Sequence, residues 1–183
     1  FCKDVQAELY DYPEAFFEPK AWRIRRPEPD PREVEDLADA IRAARRPVII
    51  SGGGVIYSEA EAELAAFAEK HHIPFVETQA GKGANSWEHP LNFGSPGVTG
   101  SASANALCAE ADLVIGIGLR NTEVLGARPF AAPYVSADTL GPEHQAGFLP
   151  ALHHAGDLAA AIEGVREALS SARWGLEEVA RAH

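Results

Sequence analysis

The sequence predicts a doubly wound α/β domain with a mostly parallel sheet of about five or six strands. Two features support this fold class. Short apolar runs without polar alternation lie at residues 48–51 and 112–118, and such runs are typical of strands covered on both faces in a parallel sheet. These runs alternate along the chain with segments whose apolar residues recur at helical spacing. Strands and helices that alternate in this way form a Rossmann-like fold.

Length and composition fit one domain with extensions. The chain has 183 residues, of which 46% are hydrophobic and 23% are charged, as in ordinary globular proteins. Its 16 Lys and Arg against 27 Asp and Glu give a formal net charge of −11. This charge repels nucleic-acid phosphates and anionic lipid, so we expect no nucleic acid and no membrane as partner. The sequence shows neither an apolar run of the roughly 18–20 residues that cross a bilayer nor a signal peptide.

Cysteine usage predicts a cytoplasmic location. Cys2 and Cys108 are the only cysteines, and neither has a second Cys or a His at metal-ligand spacing. We interpret both as free thiols in a reducing cytosol, and a disulfide between them is the alternative.

Residues 1–29 are predicted to form an extended interdomain linker arm. The segment has little periodicity, several prolines and many aromatic side chains, and exposed aromatics are a liability in a free domain. We therefore expect the arm to pack on another part of a longer chain. The chain starts at Phe1 and contains no methionine, which we interpret as a domain cut from a longer protein.

The central domain is predicted to span residues 30–171. Asp30 caps its first helix, Pro31 takes the first helical position and Pro47 ends the helix. A strand at 48–51 comes next.

A second helix is predicted at 58–71, where Ser58 and Glu61 form a capping box. A strand at 73–77 and a loop to residue 100 follow. The remaining predicted elements are a helix at 101–110, strands at 112–118, 134–136 and 152–154, a helix at 158–170, and a tail at 172–183 that is either native helix or the start of the next linker.

Glycines cluster where predicted strands end. In open α/β sheets, ligands bind outside the carboxyl ends of the strands, where loops meet helix N-termini. Glycine lets backbone amides approach a phosphate closely. The candidate nucleotide cleft comprises Gly52, Gly53, Gly54, Gly81, Lys82, Gly83, Gly116, Gly118 and Arg120.

Simpler interpretations of this cluster stay open. Residues 52–54 also suit a tight strand-to-helix turn, and Arg120 also suits a guanidinium that bonds carbonyl groups or a neighbouring domain. The dinucleotide fingerprint is absent because it needs glycine where Tyr57 stands. Lys82 lacks the spacing and the Ser or Thr of a P-loop, which disfavours a nucleotide triphosphatase.

No catalytic residue and no metal ligand is predicted in this chain. The seven histidines are scattered, and sequence neighbours such as His71 and His72 point to different faces. The sequence also lacks a G-x-S-x-G nucleophile elbow and a Cys/His arrangement.

Several segments match the pattern of one enzyme family. Residues 4–17 contain D-V-Q, E-L-Y-D-Y-P and F-F, and residues 47–60 contain P-V-I-I, G-G-G-V and Y-S-E-A. Residues 73–100 contain the most specific run, E-T-Q-A-G-K-G followed by H-P-L-N and G-V-T-G. These segments resemble the middle domain of thiamine-diphosphate enzymes, in particular the trihydroxycyclohexanedione hydrolase family of myo-inositol breakdown.

This resemblance implies a three-domain parent enzyme that is a homo-oligomer. The first domain would supply a glutamate that activates the thiamine ring, and the third would hold Mg²⁺ and the diphosphate with a G-D-G…N motif. Neither feature occurs in this chain, so the resemblance implies thiamine diphosphate and Mg²⁺ in the parent and no cofactor here. The partners of this chain would be the other two domains. The implied parent reaction is hydrolytic cleavage of a C–C bond in a cyclic 1,2-dione.

Two other hypotheses stay open. Some relatives bind FAD or ADP in this domain, so the chain is alternatively a nucleotide-binding module of an acetolactate-synthase-like carboligase or decarboxylase. A free-standing small α/β enzyme is the third hypothesis, and the absence of a catalytic set counts against it.

Overall fold

A computed structural model describes residues 2–21, 23, 25–119, 131–139, 150–171 and 174–182. Its elements are α1 (Lys3–Gln6), a 3₁₀ turn (Glu14–Phe16), α2 (Pro31–Ala43), β1 (Pro47–Ser51), α3 (Gly53–Tyr57), α4 (Glu61–His71), β2 (Phe75–Glu77), α5 (Ala102–Glu110), β3 (Leu113–Ile117), β4 (Tyr134–Asp138), β5 (Leu152–Ala155), α6 (Leu158–Ala168) and α7 (Leu176–Ala182).

The predicted doubly wound sheet is confirmed. Its five described strands are all parallel and lie in the order β2-β1-β3-β4-β5. β2 is added to one side of β1, whereas β3, β4 and β5 are added in turn on its other side. The direction of strand addition therefore reverses between β1 and β3. Such a reversal is the usual place for a ligand in this fold.

The outer edge of β2 is covered by residues 91–94. Phe75 donates its N–H to the carbonyl of Leu91 at 2.8 Å, and Phe93 donates to the carbonyl of Phe75 at 3.0 Å. Glu77 donates to the carbonyl of Gly94 at 2.9 Å. This short segment therefore protects an edge that would otherwise leave backbone groups unpaired.

The core lies between the sheet and its flanking helices. Asp30 caps α2 as predicted, because its Oδ1 accepts the N–H of Arg32 at 2.8 Å. The largest side chains with less than 2% exposure include Phe67, Phe75, Ile41, Ile49, Ile50, Leu64 and Ile115. These residues come from α2, α4 and the first three strands, so one core joins them.

The predicted helix start at Ser58 is wrong. The chain first makes the short helix α3 directly after β1, and the N–H of Ser58 bonds the carbonyl of Gly54 at 2.9 Å. Glu59 then takes a left-handed conformation with φ 53°, which redirects the chain. The next helix begins at Glu61 with Ala60 as its N-cap, so no capping box forms.

The arm is exposed along most of its length and attached to the domain at its end. The rings of Tyr10, Tyr12, Phe16 and Phe17 are between 57% and 75% exposed and lie against one another, with 4.9 Å between the ring centroids of Tyr12 and Phe16. At the other end, the carbonyl of Pro27 accepts the N–H of Asp157 at 2.8 Å.

Candidate functional site

The predicted glycine groups meet at the carboxyl edge of the sheet, where the strand order reverses. A Cβ atom on Gly52 would lie 2.0 Å from the carbonyl oxygen of Gly118, and one on Gly54 would lie 2.6 Å from its Cα. A Cβ atom on Gly81 would lie 2.4 Å from the carbonyl oxygen of Ser51. The loops after β1, β2 and β3 therefore pack backbone against backbone, which only glycine permits.

The backbone N–H groups of these glycines donate hydrogen bonds to carbonyl groups of the same chain. Gly52 donates to the carbonyl of Ile117 at 2.8 Å and Gly54 to that of Gly118 at 3.0 Å. Gly118 itself donates to the carbonyl of Ala137 at 2.8 Å, and Gly81 to that of Thr78 at 3.0 Å. A phosphate at this edge would have to use other donors, and the cofactor-binding role of these glycines stays a prediction.

Gly53 and Gly116 have neighbours of their own. A Cβ atom on Gly53 would lie 3.1 Å from the carbonyl oxygen of Ala80, so this position also belongs to the loop contact. Gly116 lies inside β3, not in a loop, and a Cβ atom there would lie 2.5 Å from the hydroxyl of Tyr134. Gly116 therefore provides space for a buried aromatic ring on the next strand.

Lys82 and Gly83 lie on the outer part of the loop after β2. Lys82 is exposed and is the only Lys or Arg between Lys70 and Arg120. Gly83 has φ +93° and open space around its Cα, so glycine is needed there for backbone conformation and not for close contact. Arg120, the last residue of the predicted cleft, lies outside the described residues.

A buried carboxylate, which the sequence analysis missed, supports this loop. Glu77 ends β2, is 4% exposed and accepts the N–H groups of Asn85 at 3.2 Å and of Gly83 at 3.5 Å. Ser51, its register partner on β1, is fully buried and its hydroxyl makes no hydrogen bond. A carboxylate directly after an apolar strand is the sequence signal that could have indicated Glu77.

The described thiols and metal-ligating side chains form no reactive cluster. Cys2 and Cys108 are free, and burial raises the pKa of the Cys108 thiol to about 12, which keeps it protonated. In the part of the chain that the structure describes, no group of three or more His, Cys, Asp or Glu side chains could hold a metal ion. None of the described helices is long and apolar enough to cross a membrane.

The family model and the individual relatives that match this chain indicate the same kind of enzyme. Residues 34–164 match the family described as thiamine pyrophosphate enzyme, central domain. The chain is 42% identical over 168 residues to a 3D-(3,5/4)-trihydroxycyclohexane-1,2-dione hydrolase of Geobacillus thermodenitrificans, covering 91% of this chain and 26% of the relative. It is 50% identical over 121 residues to proteins of the same name from Clostridium tetani and Bacillus thuringiensis, covering 66% of this chain and 19% of each relative. The chain thus spans about a fifth to a quarter of the length of these relatives.

Proposed function

The chain belongs to the thiamine pyrophosphate enzyme central-domain family, and we propose that it is a structural, non-catalytic domain of a longer thiamine-diphosphate enzyme. The observation that supports this proposal most is the use of the glycine amides at the carboxyl edge. Gly52, Gly54 and Gly118 link β1 and β3 to each other and to β4 at the point where a ligand would bind in this fold.

The described residues do not fit thiamine diphosphate with Mg²⁺. Mg²⁺ prefers oxygen ligands, commonly one or two carboxylates together with phosphate oxygens. The buried carboxylate at this edge, Glu77, already accepts two backbone N–H groups. The nearby cation, Lys82, is exposed on a loop. We therefore derive no catalytic step from this chain.

The reaction of the longer enzyme is proposed from its relatives. Three proteins at 42% to 50% identity carry the name trihydroxycyclohexanedione hydrolase. We propose that the longer enzyme cleaves a C–C bond of this cyclic dione by hydrolysis. Thiamine diphosphate would supply carbanion stabilisation, with Mg²⁺ holding it in another domain. Two free cysteines support the further proposal of a cytoplasmic location.

The exposure of the arm supports the proposal that this chain's partners are the other two domains of the same polypeptide. We propose that residues 1–29 form the linker arm, residues 30–171 the central domain, and residues 172–183 a helical tail or the start of the next linker. Six large hydrophobic side chains of the arm are half-exposed or more, namely Val5, Leu9, Tyr10, Tyr12, Phe16 and Phe17. Burying them against the other two domains would remove that surface from water. A homo-oligomer of the longer enzyme is part of the same proposal.

The test uses the full-length polypeptide that contains this chain. With thiamine diphosphate and Mg²⁺ present, we expect hydrolysis of trihydroxycyclohexanedione and no formation of acetolactate from pyruvate. Lys82→Ala should leave kcat within about twofold, because the exposed lysine would not touch the reacting atoms. Acetolactate formation without dione hydrolysis would contradict the proposed reaction, and a large loss of kcat in Lys82→Ala would contradict the non-catalytic role.

A further inference from the structure

A small cavity lies between α2, β4 and β5, away from the glycine loops. It measures about 30 Å³ and is lined by Glu33, Asp36, Leu37, Ser136, Leu152, His153 and His154. This volume is enough for about one water molecule. His154 is its most buried polar group, with 1% exposure, and neither ring nitrogen makes an aligned hydrogen bond.

The root of the arm lies next to His154 at the turn between β5 and α6. A Cβ atom on Gly156 would lie 3.1 Å from Nε2 of His154 and 3.0 Å from Cα of Pro29, so the imidazole, the β5–α6 turn and the arm meet at one point. The arm is held there by the bond from Asp157 N–H to the carbonyl of Pro27. Arg26 adds a bond to the carbonyl of Ser58 at 2.9 Å.

Acidic side chains surround the imidazole. From α2, the Oε2 atom of Glu33 lies 3.2 Å from Nδ1 of His154 and also accepts the N–H of Ala155 at 3.4 Å. Asp30 caps the same helix and Asp36 lies on it. Among the described residues, the neighbouring strands and helix add His153 on β5, Asp138 at the end of β4 and Asp157 at the start of α6. The arm root itself carries Arg25, Arg26 and Glu28, and Arg26 forms ion pairs with Glu59 and Asp157.

We propose that the arm root, residues 25–29, is a pH-sensitive latch: it closes over a neutral His154 and opens when His154 is protonated. A cavity that holds about one water solvates an imidazolium poorly, so the closed latch disfavours the charged ring. Opening would admit solvent while leaving the carboxylates of Glu33 and Asp30 in place. The open state therefore binds a proton more tightly than the closed state.

The direction of the pH effect follows from the pKa of His154 in the closed state. Burial lowers this pKa below the ordinary value of 6.5 and outweighs the opposing pull of Glu33 and Asp30. Above the pKa of the open state both states hold a neutral ring, so opening does not depend on pH. Between the open-state pKa and the lower closed-state pKa only the open state takes up the proton, and the opening constant rises by at most about tenfold per pH unit. Below the closed-state pKa both states hold the proton, and the opening constant levels off.

Amide hydrogen exchange of Asp157 measures this opening directly, because its N–H is bonded to the arm. After correction for intrinsic exchange, we expect a constant opening equilibrium above neutral pH and a rise toward tenfold per unit below pH 6.5. The Val114 amide, bonded to the carbonyl of Pro133 inside the sheet, should not follow this rise, which separates latch opening from global unfolding.

Two variants decide the role of His154. His154→Gln should remove the pH dependence, while His72→Asn should keep it, since asparagine tolerates the left-handed backbone at position 72. An opening constant that does not change with pH, or a dependence that survives in His154→Gln, would overturn the proposal. If His154→Gln does not fold, the ring titration of His154 in the native chain decides instead: a pKa below the ordinary range supports the latch, and one at or above it refutes the latch.

Discussion

Trp174 donates its indole N–H to the carbonyl oxygen of Pro47 at 2.8 Å, across 127 positions of the chain. The indole is 4% exposed, and the guanidinium of Arg46 lies 5.6 Å from its ring centroid. Val179 of α7 is also buried, and Glu178 pairs with Arg46 at 3.5 Å. Trp174 therefore packs against the start of β1, and with Val179 it is part of the same core.

Replacing Trp174 by Phe should lower the free energy of unfolding by about 1–2 kcal/mol, because the carbonyl of Pro47 loses its buried partner. Urea denaturation followed by circular dichroism measures the change. Trp87→Phe is the matched control: this indole is 82% exposed, so its loss should cost less than about 0.5 kcal/mol. Equal losses in the two variants would mean that the contact with Pro47 contributes nothing.

Gly118→Ala should destabilise the fold by about 3 kcal/mol or more, since it adds a steric clash to backbone strain. The residue has φ +58°, and a Cβ atom there would lie 2.7 Å from the backbone of Gly54. Gly83→Ala is the control that adds backbone strain without a clash, because no atom lies within 4 Å of a Cβ atom placed on Gly83. It should lower the free energy of unfolding by about 1 kcal/mol. The same urea series compares the two, and a smaller loss for Gly118→Ala would refute the close packing of these loops.

Ser101→Ala should cost about 1 kcal/mol through the loss of a helix cap. The Ser101 hydroxyl accepts the N–H of Ala104 at 3.1 Å at the start of α5. Ser103→Ala, in the first turn of α5, removes a half-buried hydroxyl that lies 3.3 Å from that of Ser101 but caps no backbone N–H, so it should cost less than Ser101→Ala. Thermal unfolding of both variants tests the difference, and a neutral Ser101→Ala would show that the cap is not needed.

Alkylation should distinguish the two cysteines. At pH 8 iodoacetamide should modify exposed Cys2 quickly, while buried Cys108, whose pKa is raised to about 12, should react only when the chain unfolds. Peptide mass spectrometry after timed labelling provides the measurement. Comparable rates at the two positions under native conditions would contradict the burial of Cys108 in α5.

Local signals predicted much of the fold. Asp30 and Pro31 placed the start of α2, and β-branched runs placed β1 and β3, because capping and strand patterns depend on neighbouring residues. The meeting of Gly52, Gly81 and Gly118 followed from the rule that parallel strands end at one edge.

Contacts between distant segments could not be predicted in this way. The capping box expected at Ser58 failed because the glycines after β1 form a helical turn of their own. The support of the loop by Glu77, the packing of Tyr134 over Gly116 and the position of His154 beneath the arm all depend on which elements are neighbours in space. Spacing along one chain does not contain that information.

Calorimetric titration of the chain with thiamine diphosphate and Mg²⁺ tests the central proposal most directly. FAD and ADP are titrated in parallel, on protein whose circular dichroism shows a folded α/β chain. We predict no saturable heat with any of these ligands, because the amides of Gly52, Gly54 and Gly118 are already donated within the protein. Saturable binding of FAD or ADP that Lys82→Ala weakens would contradict the structural role and support a nucleotide-binding module. Saturable binding of thiamine diphosphate would place the cofactor in this domain and contradict the account as a whole.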